Sequence, residues 1–280
     1  MPGRLARLLV VFVAAGLAAA ALAGQTRSTP AYTPPRTADG QPDLQGIWRV
    51  WGLAQHDLEP HAASYGVPAG LGVVVDPADG LIPYKPWARA RRTEHHAKSR
   101  IRFPYDPLQN PDPLAKCYIP GVPRITYLGW PFEIVQSKAF VAFVYEWMHI
   151  RRMVPLTNRP VPQGIPRWGG VSRGRWEGNT LVVRVTELSD WTWLDAAGNF
   201  HSQAAVVEER YTPSGPETLD YDVTITDPDV FTRPWRIRMP IHRQRDARLL
   251  EYECHALLED AGVPLTWERD WDAPLVIPKE

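Results

Sequence analysis

Strict alternation of apolar and polar positions marks the second half of this chain. Leu219, Tyr221, Val223 and Ile225 alternate with Asp220, Asp222, Thr224 and Thr226, and Trp235, Ile237, Met239 and Ile241 are separated by Arg236 and Arg238. A period of two places each set on its own face of a strand. Pairing the two strands sets Asp against Arg on the outer face, a favourable cross-strand match. Phe132 to Gln136 and Ala139 to Trp147 are apolar runs broken by Ser137-Lys138, the pattern of a tight hairpin. Trp176 to Thr180 reads as another turn, feeding a strand over Leu181 to Thr186. Further strands are predicted from His201 to about Tyr211 and from Arg248 to Ala256, the last with Leu250, Tyr252 and Cys254 inward. This meander predicts a mainly β fold, an antiparallel barrel or sandwich.

One short helix is expected, from Pro86 to about Lys98, with Pro86 suited to its first turn. Its Arg89, Arg91, Arg92 and Lys98 are expected on a solvated face. His95 and His96 are adjacent and so point in different directions, which argues against chelation. Residues 54–80 are rich in Gly and Pro and read as loop. The 29 prolines make long helices improbable and structured loops frequent.

The amino terminus adds a destination. Arg4 and Arg7 precede an apolar run from Leu8 to Ala20, and Ala21-Leu22-Ala23 supplies the small-x-small pattern cut by signal peptidase. The reading is a signal peptide over 1–23, a Pro-rich linker over 24–42 and a single β-rich domain over 43–280, periplasmic or secreted. The apolar run falls short of the roughly 20 residues of a membrane span, and no Cys follows it to carry a lipid, so no membrane anchor is expected. Cys117 and Cys254 are the two cysteines, an even number in an exported chain, and are predicted to be joined. Two buried free thiols are the alternative.

Charge excludes one large class of partners. Lys and Arg number 31 and Asp and Glu 31, so no net field recruits nucleic acid. There is no nucleotide-binding glycine loop, and no cofactor is expected. The oligomeric state is left open.

Several stretches together resemble a widespread family of exported bacterial proteins. They are residues 36–48 (Arg-Thr-Ala-Asp-Gly-Gln-Pro-Asp-Leu-Gln-Gly-Ile-Trp), residues 117–124 (Cys-Tyr-Ile-Pro-Gly-Val-Pro-Arg), Gly174 to Val183, Trp193-Leu194-Asp195 running on to Phe200-His201-Ser202, and Leu250 to Cys254. The resemblance spans nearly all of the chain after the leader; it implies export and brings no activity with it. Members of the family often read His-Ser-Asp-Ala-Leu-His where this chain has His201-Ser202-Gln203-Ala204-Ala205-Val206, so two polar positions are lost and a metal site is disfavoured. Gly46-Ile47-Trp48 also looks like the Gly-x-Trp opening of lipocalin-type barrels, in which the Trp closes one barrel end under a basic side chain from a late strand. That favours a lipocalin-like barrel.

Candidate chemistry centres on His201, which follows Trp191, Trp193 and Asp195. It reads either as a general acid or base oriented by Asp195 or as a loop histidine capping a backbone carbonyl. Phe143, Tyr145 and Trp147 share a strand face extending towards His149, either as a ligand-gripping wall with Tyr145 and His149 as polar handles, or as core. Arg175 is a candidate for an anionic group or for stacking on Trp176. Two functions are compatible with these residues. One is a cofactor-independent lyase, isomerase or hydratase acting on a hydrophobic or sugar-like small molecule, with His201, Asp195, Tyr145 and His149 catalytic and Phe143, Trp147, Trp191, Trp193 and Arg175 binding. The other is a carrier, sensor or carbohydrate-binding module without chemistry. A His–carboxylate contact inside a cleft marks the enzyme, and a deep apolar cavity without convergent titratable groups marks the carrier.

Overall fold

The structure, a computed structural model, describes residues 32–64, 67–99, 110–157, 160, 164–260 and 262. The expected signal peptide and the first part of the linker lie outside the described residues. Among the described residues, ten strands form one sheet: β1 (Gly46–Arg49), β2 (Val74–Asp76), β3 (Phe132–Gln136), β4 (Phe140–Tyr145), β5 (Arg151–Pro155), β6 (Val171–Glu177), β7 (Thr180–Thr186), β8 (Val206–Gly215), β9 (Thr218–Thr226) and β10 (Trp235–Arg243). The helices α1 (Pro86–Ser99) and α2 (Cys254–Asp260) lie outside the sheet.

The strands are ordered β5-β4-β3-β1-β10-β9-β8-β7-β6, and β2 pairs with β10 beyond the end of β1. Every ladder is antiparallel, so the mainly β expectation holds and the sheet nearly closes into a barrel. Nine strands in an up-and-down meander cannot close with antiparallel neighbours throughout, because an odd number leaves one pair running the same way. That pair is β5 and β6, which touch without forming a ladder.

Side chains close this seam. Arg152 Nε on β5 donates to Ser172 Oγ on β6 at 2.9 Å. Gly174 allows the approach: a Cβ there would stand 2.7 Å from Val154 Cγ1 and 2.8 Å from Leu156 Cδ2.

The alternation of β9 and β10 does what its period requires. Leu219, Tyr221, Val223, Ile225, Trp235, Ile237, Met239 and Ile241 are all buried. Outside, Asp222 accepts from both Arg236 and Arg238. The apolar face of β4 also turns inward: Phe143 and Tyr145 pack with Phe132 and Tyr211 in the barrel core. Trp48 is buried, donates Nε1–H to Leu44 O at 2.8 Å, and lies 4.2 Å beneath the Arg243 guanidinium of the last strand. Gly46, at φ +123°, leaves room for that guanidinium, which a Cβ would strike.

The two rims of the barrel differ. β3–β4, β6–β7 and β8–β9 are joined by short turns at one rim, whereas the excursions after β1, β2, β7 and β9 all leave from the other. These long connections build the layer that holds the candidate site.

Two predicted strands are shorter or absent. β8 begins at Val206, leaving His201 in the preceding loop. The segment from Arg248 to Ala256 is not a strand: Met148 N–H donates to Tyr252 O, Leu250 N–H donates to the Glu146 carboxylate, and α2 starts at Cys254. The helix-forming run Ala256-Leu257-Leu258-Glu259 prevails over the alternation once the backbone has docked on the β4–β5 turn. The cysteine pair forms as expected, with Cys117 and Cys254 Cα atoms 5.5 Å apart. Among the described residues, no helix is long and apolar enough to cross a membrane.

Candidate functional site

A cleft of about 800 Å³ opens in the layer of long connections. Its walls come from the loop 55–64, from α1, from residues 110–124 and from α2 with the segment before it. The lining is mixed. His56, Asp57, Glu59, His61, Arg92, His96, Asp112 and Arg124 bring charge and titratable nitrogen, while Trp147, Tyr252, Leu114 and Leu258 form an apolar side. The volume falls within the range of small-molecule sites.

Ion pairs fix the polar wall. Glu59 is buried and receives Arg89 in a two-pronged contact at 3.0 Å for each bond, and its Oε1 also accepts from Ile82 N–H at 2.8 Å. Asp57 accepts from Arg92 Nη2 at 2.9 Å. The basic helix therefore does not present a wholly solvated face. Arg89 and Arg92 are three apart, hence on one side of the helix, and carboxylates of the loop 55–64 draw them inward. Opposite, Arg124 is 1 % exposed and holds Asp112 end-on, Nη1 to Oδ1 at 2.8 Å and Nη2 to Oδ2 at 2.7 Å. Asp112 also caps the single helical turn at Pro113–Lys116 by accepting from Leu114 N–H.

Asp195 lies beneath this wall, fully buried. It accepts from Leu58 N–H at 2.9 Å and from the backbone and side-chain N–H groups of Asn199. Those donors favour its charged form, but burial and the nearby Asp57 carboxylate outweigh them and push its pKa up to about 7. Asn199 links the two carboxyl groups, since its Nδ2 also reaches Asp57 Oδ1 at 3.3 Å.

The histidines of this layer are held in different ways. Burial lowers the pKa of His56, and His61 and the Arg124 cation lower it further. His61 donates from Nδ1 to Glu59 O at 2.9 Å, and no partner meets its buried Nε2 among the described residues. His95 and His96 diverge, as adjacent helical residues must. His96 lines the cleft, whereas His95 stacks on Trp193 at 4.6 Å and is pushed down to about 4, chiefly by burial.

The residues singled out from the sequence are scattered. His201 and Asp195 do not form the expected dyad. His201 is 1 % exposed, with Nδ1 2.8 Å from Ser202 O and Nε2 2.8 Å from Thr192 Oγ1. Facing a carbonyl, Nδ1 must donate, which leaves Nε2 as an acceptor for the Thr192 hydroxyl, whose single hydrogen also faces Ser189 O at 3.1 Å, and burial lowers the pKa of the ring. This is the carbonyl-capping alternative. Gly121, at φ +76°, packs so tightly on Thr192 that a Cβ would come within 2.7 Å of its Oγ1, which ties residues 117–124 to the His201 loop.

Tyr145 and Phe143 are in the barrel core rather than on a ligand wall. His149 sits in the β4–β5 turn at φ +51°, its Nε2 2.8 Å from Glu253 Oε1 without hydrogen-bond alignment. Trp147 does line the cleft, stacked on Tyr252 at 4.7 Å. Trp193 is buried against His95, and Trp191 meets Trp168 edge-on at 5.9 Å. Arg175 is half exposed on β6 and paired with Glu177 and Glu208, because the outer face of that hairpin carries its carboxylate partners.

The loop 55–64 is the feature that the periodicity does not reveal. Its available signal is density: two histidines and two carboxylates within residues 56–61 of a Gly/Pro-rich connection. Among the described residues, no cluster of three or more His, Cys, Asp or Glu side chains is placed to hold a metal ion. No family model and no curated protein matches this chain.

Proposed function

We propose that this chain is an exported small-molecule pocket protein that carries out cofactor-independent acid–base chemistry, of the lyase, isomerase or hydratase kind, in the cleft between loop 55–64 and residues 110–124. The sequence pattern of the first 23 residues supports export, and the disulfide is compatible with an oxidising compartment. One observation carries the chemical reading. His56, kept neutral beside the Arg124 cation, lines a ligand-sized cleft with paired carboxylates on both sides. A neutral imidazole is the form a general base requires, and a fixed cation nearby stabilises negative charge developing on a substrate.

A carrier is the second reading. It is favoured by the lack, among the described residues, of any hydrogen bond between a cleft histidine and a carboxylate, so no group orients His56 as a third member would.

The two separate in one experiment. The protein is incubated with a panel of aromatic and terpenoid acids, alcohols and glycosides, and consumption and binding are followed by NMR. The enzyme reading expects at least one compound to be converted, with turnover falling about 10²-fold or more in His56→Gln while binding persists. Saturable binding without conversion favours the carrier. No saturable binding removes both.

A further inference from the structure

Both guanidiniums of the cleft have unused donors. Asp112 takes the two terminal nitrogens of Arg124 end-on, and Nε–H has no partner among the described residues although Arg124 is 1 % exposed. The side edge of that guanidinium, Nε–H with the outward hydrogen of Nη2, is the edge that accepts a carboxylate in a fork. Arg92 spends Nη2 on Asp57 and Nε on Asn199 Oδ1, leaving Nη1 without a hydrogen-bond partner among the described residues. Its side chain keeps 14 % of its surface open. Arg124 is thus fixed by a carboxylate on one side with a buried donor left over, and Arg92 is fixed by Asp57 with a terminal nitrogen to spare. Both feel the same buried group, since Asp195 acts electrostatically on each.

Another donor belongs to the apolar side. Trp147 is 6 % exposed and its Nε1–H is also unpartnered among the described residues. Its ring stacks on Tyr252, which in turn packs 4.2 Å from Trp130. A buried donor without an acceptor is uncommon in folded proteins, and at Arg124 it calls for an occupant that supplies oxygen.

Resting on the cleft being the ligand site, we infer that its ligand is a carboxylic acid with a flat apolar body, its carboxylate held between Arg124 and Arg92 and its body against Trp147 and Tyr252. Arginine's planar fork suits a carboxylate, and an aromatic wall suits a ring or conjugated chain. The cleft carboxylates Asp57, Glu59 and Asp112 are engaged by arginines, so a neutral polyol would find no free carboxylate to receive its hydroxyl hydrogens. A monocarboxylate uses what is left.

The test compares trans-cinnamate with trans-cinnamamide, close in shape but different in charge, by calorimetry on the full protein and on Arg124→Lys and Arg92→Lys. Lysine preserves the charge opposite Asp112 or Asp57 and removes the fork. Thermal melts show whether each variant folds, and Arg92→Lys alone keeps the test open if Arg124→Lys does not. The inference expects cinnamate to bind the native protein about 10-fold or more tighter than the amide, with the gap shrinking in either folded variant. Equal affinities, or a gap undiminished in the folded variants, overturn the carboxylate anchor and leave the cleft itself intact. Failure of both probes to bind, with no shift of the Trp147 indole signal at millimolar concentration, overturns the anchor together with the ligand site on which it rests.

Discussion

Arg152 and Glu209 are paired inside the barrel from opposite sides of its one unladdered seam. Arg152 Nη1 donates to Glu209 Oε1 at 3.1 Å, and Nη2 meets Oε2. The Tyr211 and Tyr221 hydroxyls donate to the same Oε1 at 2.9 and 2.7 Å. β5 lacks a ladder partner on this side, so the guanidinium supplies what backbone hydrogen bonds do elsewhere: it joins β5 to β6 through Ser172 and to β8 through Glu209. The first prediction follows from the asymmetry of buried ion pairs. Glu209→Gln leaves Arg152 buried without a counter-charge and should cost about 3–5 kcal/mol in urea unfolding. Arg152→Met with Glu209→Gln removes the stranded charge but keeps an acceptor for the tyrosines, and should cost less than the single change. A single-variant loss below about 1 kcal/mol would show that the seam does not depend on this pair.

Asp195 should titrate near neutrality. Its folded pKa is raised from 3.8 to about 7, by burial first and by Asp57 second. The folded state therefore binds more protons than the unfolded state between about pH 4 and pH 7. Its contribution to stability is complete below about pH 4 and is lost as pH rises through about 7. A carboxyl carbon resonance that disappears in Asp195→Asn and has its midpoint near 7 is the expected result. A midpoint near 4 would show that the three N–H donors, rather than burial, govern this group.

His95 works in the opposite sense. Its folded pKa is lowered to about 4, so the unfolded state binds the extra proton between pH 6.5 and pH 4. Its contribution is complete above about 6.5 and is lost as pH falls through about 4. His95→Phe keeps a ring against Trp193 and removes the titration, at the cost of the contact with Gly198 O. The variant should lose stability less steeply than the native protein on acidification, with a difference on the order of 2 kcal/mol accumulating between pH 6.5 and pH 4. Parallel curves would place the native His95 titration at its ordinary value.

The barrel is far more legible in the sequence than the site. β9 and β10 can be read because each buried side chain is two residues from the next, a signal local to nine-residue strands. α1 is readable from Pro86 onward for the same reason of locality. The cleft has no such period. Its carboxylates at Asp57 and Glu59 meet cations 35 and 30 residues away, and Asp195 reaches Leu58 across 137 residues. Only the fold brings these partners together. His201 is conspicuous in sequence because it stands among tryptophans and a carboxylate, but its two nitrogens are used within nine residues of itself, on Ser202 and Thr192. Local pairing of this kind fixes a loop and leaves nothing for a ligand.

The disulfide should matter more to the cleft than to the barrel. Cys117 follows the helical turn capped by Asp112, the residue that holds Arg124, and Cys254 opens α2 on the facing wall. The bond closes a loop of 137 residues, worth up to roughly 5 kcal/mol on the chain-entropy model. Its loss is not shared evenly. β8, β9 and β10 remain paired along their length and packed on the core, whereas residues 110–124 and α2 have few backbone ties to the sheet. Reduction, or Cys117→Ser with Cys254→Ser, should lower the melting temperature and speed hydrogen exchange first in 110–124 and 250–260, with cinnamate affinity falling while β8–β10 stay protected. Equal acceleration across the barrel strands would mean that the bond supports the whole fold, and that the geometry of the cleft does not depend on it in particular.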